Sequence, residues 1–235
     1  MRIEILPNPD AVAARAAHWL AIAARQAVVD RGRFVLAVSG GHTPWQMLRA
    51  LAAEQLPWSS VHLFQVDERV APLGHPDRNL THIKESLLAA VNLPAGNLHA
   101  MPVEIPDLAE AARRYQRELS VAAGTPPVLD VVHLGLGPDG HTASLVPNDP
   151  VLDVSDSDTA VTGLYGGYRR VTLTYPALNR ARQLLWVVTG AEKAPVLPRL
   201  MKGDRSIPAG RVHADRAFVL ADRAAAARLE QTSIS

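Results

Sequence analysis

The segment Leu134-Gly135-Leu136-Gly137-Pro138-Asp139-Gly140-His141-Thr142-Ala143-Ser144-Leu145 puts an imidazole and a carboxylate into a glycine-rich turn. Histidine changes charge near neutrality, which suits His141 to take a proton from water, and Asp139 is near enough in sequence to fix its tautomer or orientation. The preceding run LDVVHLGL has the apolar continuity of a strand covered on both faces, so His141 is expected at the strand's carboxyl end, where it and Thr142 would open a short helix. The chain has nine histidines; His133 lies within this strand, and His18, His62 and His82 lie in other regular elements, so these read as structural or exposed. The glycine-rich setting singles out His141. No HExxH pair or comparable ligand cluster occurs, so no metal is expected and metal-assisted hydrolysis is disfavoured.

Three further strand ends carry unusual chemistry. Ser39-Gly40-Gly41-His42-Thr43-Pro44 follows the run FVLAVS; its glycines let backbone N–H groups approach an anion, with Thr43 as N-cap and Pro44 at the first helical position. This reads either as a phosphate cradle at a helix N-terminus or as a tight turn without ligand. Asp67-Glu68-Arg69 follows VHLFQV, and three successive charges there suggest a solvated turn unless a ligand engages them. Asp77-Arg78-Asn79 is expected to cap the next helix and to add Asn79 to the same polar rim. Thr189-Gly190-Ala191-Glu192-Lys193 follows LLWVV and puts Lys193 in a first helical turn, where a cation is poorly placed unless a phosphate joins it. Arg170, before VTLTY, is suited to bidentate binding of phosphate or sugar oxygens, against the plainer reading of an exposed arginine on a strand edge.

The elements that must position these corners alternate. Helices are expected over 11–29, ending at Gly32, from near Pro44, over about 79–91 and over 107–123. Strands are expected at 34–39, 61–66, 98–101, 129–134, 171–175, 184–189 and 217–220. Such alternation predicts an α/β fold, one parallel sheet with helices on both faces, in which ligands bind outside the carboxyl ends of the strands. At 235 residues, with no internal repeat and no long linker, the whole chain 1–235 is expected to form a single domain.

Composition narrows the partners. The 24 basic and 23 acidic side chains leave a formal net charge of +1, so no whole-molecule field draws the chain to nucleic acid or an anionic membrane. The absence of cysteine excludes disulfides and thiolate metal sites and suits a reducing compartment. The start MRIEILPNPD lacks the apolar run of an export signal, so a cytoplasmic protein, monomeric or a small homo-oligomer, is expected.

Taken in order, SGGHTP, VDER, the DRN segment, GLGPDGHTASLVP, RRVTLTY and TGAEKAPVL resemble the 6-phosphogluconolactonase family over about residues 34–221. The resemblance implies a modified Rossmann-like parallel sheet related to glucosamine-6-phosphate deaminases and ribose-5-phosphate isomerases. It also implies hydrolysis of a sugar-phosphate lactone, 6-phospho-D-glucono-1,5-lactone, without a cofactor. On it, His141 matches the catalytic histidine and Arg69 matches an arginine lining the substrate site; Asp139, Asp67 and Glu68 are each candidates to assist His141. Ser39, Gly40, Gly41 and Thr43 fall in the phosphate loop, Lys193 matches a phosphate-binding lysine, Arg170 matches the arginine of an R-x-TLT pattern, and Asp67, Glu68, Asn79 and Gly137 complete the expected binding set. The sequence departs from the pattern at Val146, where Phe is usual, and at Arg78, where Ser often precedes Asn; both substitutions are expected to be peripheral.

Three competing readings remain. A serine acyl-enzyme would use Ser39 or Ser144, although neither sits in a GxSxG elbow. An amino-sugar phosphate deaminase shares the fold but reads G-x-N-G-H-I-A-F-N-E at this loop, with a glutamate where this chain has Val146. A non-catalytic sugar-phosphate sensor in a transcription regulator would need a DNA-reading segment, for which no basic arm is seen.

Overall fold

The computed structural model describes residues 1–229. Strand β1 (Arg2–Leu6) leads into helix α1 (Pro9–Arg31), which starts where Asn8 Oδ1 accepts the Ala11 N–H at 2.9 Å and Pro9 supplies a preset first turn. Gly32 ends the helix with φ 73°, its N–H bonded to the Val28 carbonyl. Then follow β2 (Phe34–Val38), α2 (His42–Ala52), β3 (Val61–Gln65), β4 (Asp67–Arg69), α3 (Asn79–Ile83), β5 (Leu98–His99), α4 (Leu108–Ala123), β6 (Val131–Leu134), β7 (Thr159–Val161), β8 (Arg170–Leu173), β9 (Gln183–Val188) and β10 (Ala217–Asp222). Asp107 caps α4 through the N–H groups of Ala109 and Glu110. Among the described residues no helix is long and apolar enough to cross a membrane.

Seven strands form one parallel sheet in the order β1-β10-β9-β6-β2-β3-β5. Its central strands are apolar on both faces because both are covered. Phe34, Leu36 and Val38 of β2 pack with α1 and α2, while Val35 and Ala37 pack on the opposite side with Tyr115 and Leu119 of α4. Trp186 and Leu185 of β9 divide in the same way. The expected α/β sheet with helices on both faces is therefore present. The strand order reverses beside β2: the chain runs outward through β3 and β5, then returns to β6 on the other side. That reversal opens a crevice at the carboxyl ends of β2 and β6.

The run VTLTY does not join this sheet. Its strand β8 lies between β4 and β7 in a separate antiparallel sheet. Val66 makes the transfer: its N–H bonds to the Val38 carbonyl of the parallel sheet at 2.9 Å, while its carbonyl accepts the Leu173 N–H at 2.8 Å. An apolar run reveals that a strand is covered but not which sheet covers it, which is why the sequence misplaces β8 and omits β7. Edge strand β1, half exposed, also escapes sequence reading. The helix expected over 79–91 begins as α3 and passes at Lys84–Leu88 into a π-helical turn. His141 and Thr142 open no helix; Thr142 and Leu145 instead form an isolated antiparallel bridge.

One buried and one half-buried imidazole make the fold sensitive to acid. His133 in β6 is fully buried, its Nδ1 accepting the Ser39 N–H at 3.2 Å, and burial lowers its pKa to about 3. Burial, aided by neighbouring His62, lowers that of His99 to about 4. A histidine whose folded pKa lies below its unfolded value stabilises fully above about 6.5, and the contribution fades as pH falls toward the folded value. Urea unfolding at successive pH values is expected to show stability falling below pH 6.5, by about 1.4 kcal/mol per pH unit for His133 alone. His133→Asn, which retains an acceptor for Ser39, flattens the slope; a level wild-type profile from pH 6.5 to 4.5 contradicts the assignment.

Candidate active site

Glu68 sets the floor of the crevice. It is fully buried, and its carboxylate accepts the N–H groups of Arg69 (2.9 Å), Asn79 (2.8 Å) and Leu80 (2.9 Å) and the Gln65 side-chain amide (2.8 Å). Arg78 Nε lies 3.0 Å away as the counter-ion, itself only 1% exposed, and its Nη1 donates to Ala71 O and to Glu104. A buried carboxylate survives when paired and multiply hydrogen-bonded, and this one also occupies the positive end of α3. The expected solvated turn is thus replaced by a structural anchor, and Glu68, expected to bind ligand, faces away from the cleft. Arg78, expected to be peripheral, is a buried member of that anchor. Neither Arg78 nor Asp77 caps α3 through its side chain; Glu68 performs that task.

Above this anchor, Asn79 Nδ2 donates to Asp67 O at 2.9 Å, and Ser144 Oγ donates to Asp67 Oδ2 at 2.5 Å. Burial raises the Asp67 carboxyl pKa, against the lowering effect of the Ser144 hydrogen bond and of Arg170. Arg69 and Arg170 are direct partners across β4 and β8, with Arg69 Nη1 donating to Asp77 O at 2.6 Å. Like charges in register oppose sheet formation unless an anion joins them. Arg170 is buried, not exposed as its strand-edge position suggested, and its Nε has no protein partner.

The loop after β6 holds His141 from behind. Asp139 Oδ1 lies 2.6 Å from His141 Nδ1 and 3.2 Å from its backbone nitrogen, which leaves Nε2 without a protein partner among the described residues. Burial pushes the Asp139 pKa upward, but the charge of His141 and hydrogen bonds from it and Tyr165 outweigh burial, so the carboxyl lies below its usual range. Gly137 is required by contact: a Cβ there would overlap the His141 ring at Nδ1.

Across the crevice, Gly41 precedes the first turn of α2 with φ 122°, and a Cβ on Gly40 would overlap the Asn79 amide. The helix starts at His42 without a side-chain cap, so Thr43 is not the N-cap expected; its Oγ1 instead meets Thr189 Oγ1 at 2.6 Å and ties this loop to the one after β9. In that second loop a short 3-10 turn, Ala191–Lys193, takes the place of the expected α-helix, and the buried Asp222 accepts the Gly190 N–H at 3.1 Å. Lys193 Nζ has only a loose partner, Glu192 at 3.7 Å.

These loops enclose a cleft of about 390 Å³, a size suited to a small ligand. Ser39, Gly40, Gly41, Thr43, Asp67, Arg69, Asn79, Gly137, His141, Arg170 and Lys193 all line it, whereas Asp139 stands behind His141 and Glu68 lies beneath. Both candidate nucleophilic serines are engaged: Ser39 Oγ donates to His133 O at 3.0 Å, and Ser144 is fully buried against Asp67. Sequence reading missed Tyr165, whose hydroxyl reaches Asp139 Oδ2 at 3.0 Å; its one signal was an aromatic residue beside Gly166-Gly167. It also missed Asp222, which gave no signal beyond ending a strand. Among the described residues no group of three or more His, Asp or Glu could hold a metal ion.

Comparison with known proteins adds to this geometry. The family model for glucosamine-6-phosphate isomerases/6-phosphogluconolactonase matches residues 7–220. A 6-phosphogluconolactonase of Nostoc sp. is 40% identical over 202 residues, 84% of each chain. The crystal structure of 6-phosphogluconolactonase from Thermotoga maritima superposes with a TM-score of 0.84 at 29% identity, covering 94% of this chain and 98% of that one. A monomeric glucosamine-6-phosphate deaminase superposes with the same TM-score, 0.84, over 97% of this chain and all of its own, but at 19% identity it shares the fold alone.

Gly137→Ala is expected to drive the imidazole off Asp139 while the melting temperature stays within ~4 °C of wild type. Loss of the hydrogen-bonded Nδ1 proton resonance of His141 in NMR spectra checks this, and an unchanged resonance contradicts the close approach.

Proposed function

The chain belongs to the glucosamine-6-phosphate isomerase/6-phosphogluconolactonase family, and from that premise we propose that it hydrolyses 6-phospho-D-glucono-1,5-lactone to 6-phosphogluconate, the second step of the oxidative pentose phosphate pathway, with His141 as base. The observation that carries the reading is the His141–Asp139 pair, 2.6 Å apart, facing the Gly40-Gly41 loop and Lys193 across one cleft. The substrate phosphate docks on the backbone amides at the start of α2 with Lys193, and binding energy at this remote group holds the lactone carbonyl beside His141.

With its Nδ1 proton directed to Asp139, His141 presents an unprotonated Nε2 to water. Nε2 takes a proton as the water oxygen bonds to C1. Arg69, with Arg170 beside it, meets the negative charge that develops on the carbonyl oxygen. When the tetrahedral intermediate collapses, the bond from C1 to the ring oxygen breaks, and the imidazolium returns the proton to that oxygen. No covalent enzyme intermediate is needed, in keeping with the engaged state of Ser39 and Ser144.

A deaminase reading gains nothing from the shared fold. Where that relative's motif has glutamate, this chain has Val146, an apolar side chain buried in the core. The lack of cysteine suits a reducing compartment, and the cytoplasm is the proposed place of action.

The test is the hydrolysis rate of freshly generated lactone above its spontaneous hydrolysis. Wild type is expected to exceed the background and to release no ammonia from glucosamine-6-phosphate; the reverse pattern overturns the proposal. His141→Ala lowers kcat by ~10²–10⁴ with KM little changed. Because the base must be unprotonated, the wild-type rate falls on acidification through the range where histidines titrate, and a level rate from pH 5 to 8 contradicts the role of His141.

A further inference from the structure

Between β7 and β8 the chain turns back through Tyr165-Gly166-Gly167-Tyr168. The Tyr165 N–H donates to Tyr168 O at 3.0 Å and the Tyr168 N–H to Tyr165 O at 3.3 Å, with Gly166 and Gly167 at φ 55° and 84°. This is a two-residue hairpin whose positive φ values call for its paired glycines. Tyr165 lines the cleft, whereas Tyr168 reaches Asp77 outside its lining. Tyr165 donates to Asp139 Oδ2 at 3.0 Å, sets its ring edge-on to His141 with centroids 5.4 Å apart, and carries the Arg170 guanidinium over its face at 4.9 Å. Tyr168 donates to Asp77 Oδ2 at 2.7 Å, and the carbonyl of that residue accepts from Arg69.

We propose that this hairpin is a positioning element for the hydrolysis, in which Tyr165 sets His141 through Asp139 and Tyr168 sets Arg69 through Asp77. The inference rests on the reading of His141 as base and Arg69 as partner of the carbonyl oxygen. It goes beyond that reading by giving each group a holder from one turn, which sets the distance between base and oxyanion site.

The protonation states support the direction of both bonds. Burial, then the hydrogen bond to Asp139, raises the Tyr165 pKa, and the hydrogen bond to Asp77 raises that of Tyr168, so both remain donors at neutral pH. The Tyr168 hydrogen bond is also the largest influence holding Asp77 below the ordinary carboxylate range. His141 is faced by Asp139 and Tyr165; Asp139 by His141 and Tyr165; Tyr165 also by Arg170; and Asp77 by Tyr168, His75, His82 and Arg69.

Removing the Tyr165 hydroxyl leaves the Asp139 charge undivided for His141, which then holds a proton more tightly. Tyr165→Phe keeps the ring for Arg170 but frees the Asp139 carboxylate to turn, and through the misplaced base it is expected to lower kcat roughly tenfold with KM within about twofold. It should also move the acid limb of the kcat/KM profile up by ~0.5 pH unit. Asp139→Asn, by removing the charge, moves the same limb down. Tyr168→Phe lowers kcat by a smaller factor, ~3-fold, and leaves the limb in place. Melting temperatures accompany each variant, and the His141 ring resonances of ligand-free Tyr165→Phe give a second readout that needs no turnover.

A limb and ring resonances that coincide with wild type in Tyr165→Phe, or an acid limb that moves equally in Tyr168→Phe, overturn the inference. A His141→Ala variant that keeps the wild-type rate overturns instead the reading on which it rests. Loss of rate in His141→Ala beside wild-type behaviour of both Phe variants removes the hairpin's role alone.

Discussion

The site depends on one buried carboxylate. Glu68 is enclosed at the point where the chain leaves the parallel sheet for the antiparallel one, and its acceptors are filled by residues from the end of β3, from β4 itself and from the start of α3. An isolated ionised carboxylate is costly to bury, so these donors must arrive together with Arg78 or the region does not close. Once it closes, Arg69 and Asn79 have no freedom of place: each is bonded to Glu68 through its own backbone nitrogen. Asn79 then fixes the Asp67 backbone and fills the space that a side chain at Gly40 would occupy.

From this anchor the cleft follows by connection. Asp67 receives Ser144 from the His141 loop; Ser39 is tied to His133 in β6; Thr43 joins Thr189; Asp222 holds Gly190. Each tie links the carboxyl end of one strand to that of another, so the four loops form one connected rim around the crevice where strand order reverses. Among the described residues that line the cleft, Nε2 of His141 and Nε of Arg170 have no protein hydrogen-bond partner and Lys193 has only a loose one. A rim that turns a base and three cations, Arg69, Arg170 and Lys193, toward one small cavity suits a small anionic ligand.

Sequence carried the parts whose chemistry is local. His141, Asp139 and their glycines lie within one loop, and the strand before it is recognisable from apolar continuity, so the histidine and its place at a strand end were legible, while its contact with Asp139 came only with the structure. The rest required distant partners. Glu68 read as part of a solvated turn because its counter-ion and donors come from residues 65 and 78–80, and Arg78 read as peripheral because its burial depends on Glu104 as well. Tyr165 could not be linked to Asp139 without the pairing of β7 with β8, which the sequence did not reveal. The assignment of VTLTY to the parallel sheet failed for the same reason: hydrophobic pattern reports burial, and partner identity comes only with the register.

The central claim is an orientation: phosphate on the loop before α2, reacting carbon beside His141. The structure of the protein with the product, 6-phosphogluconate, bound tests it most directly. The account predicts phosphate oxygens within hydrogen-bonding distance of the Gly40-Gly41 amides and Lys193 Nζ, and the C1 carboxylate between His141 Nε2 and Arg69. A product bound in reverse, with its phosphate on Arg69 and Arg170 and its carboxylate at the glycine loop, would contradict it.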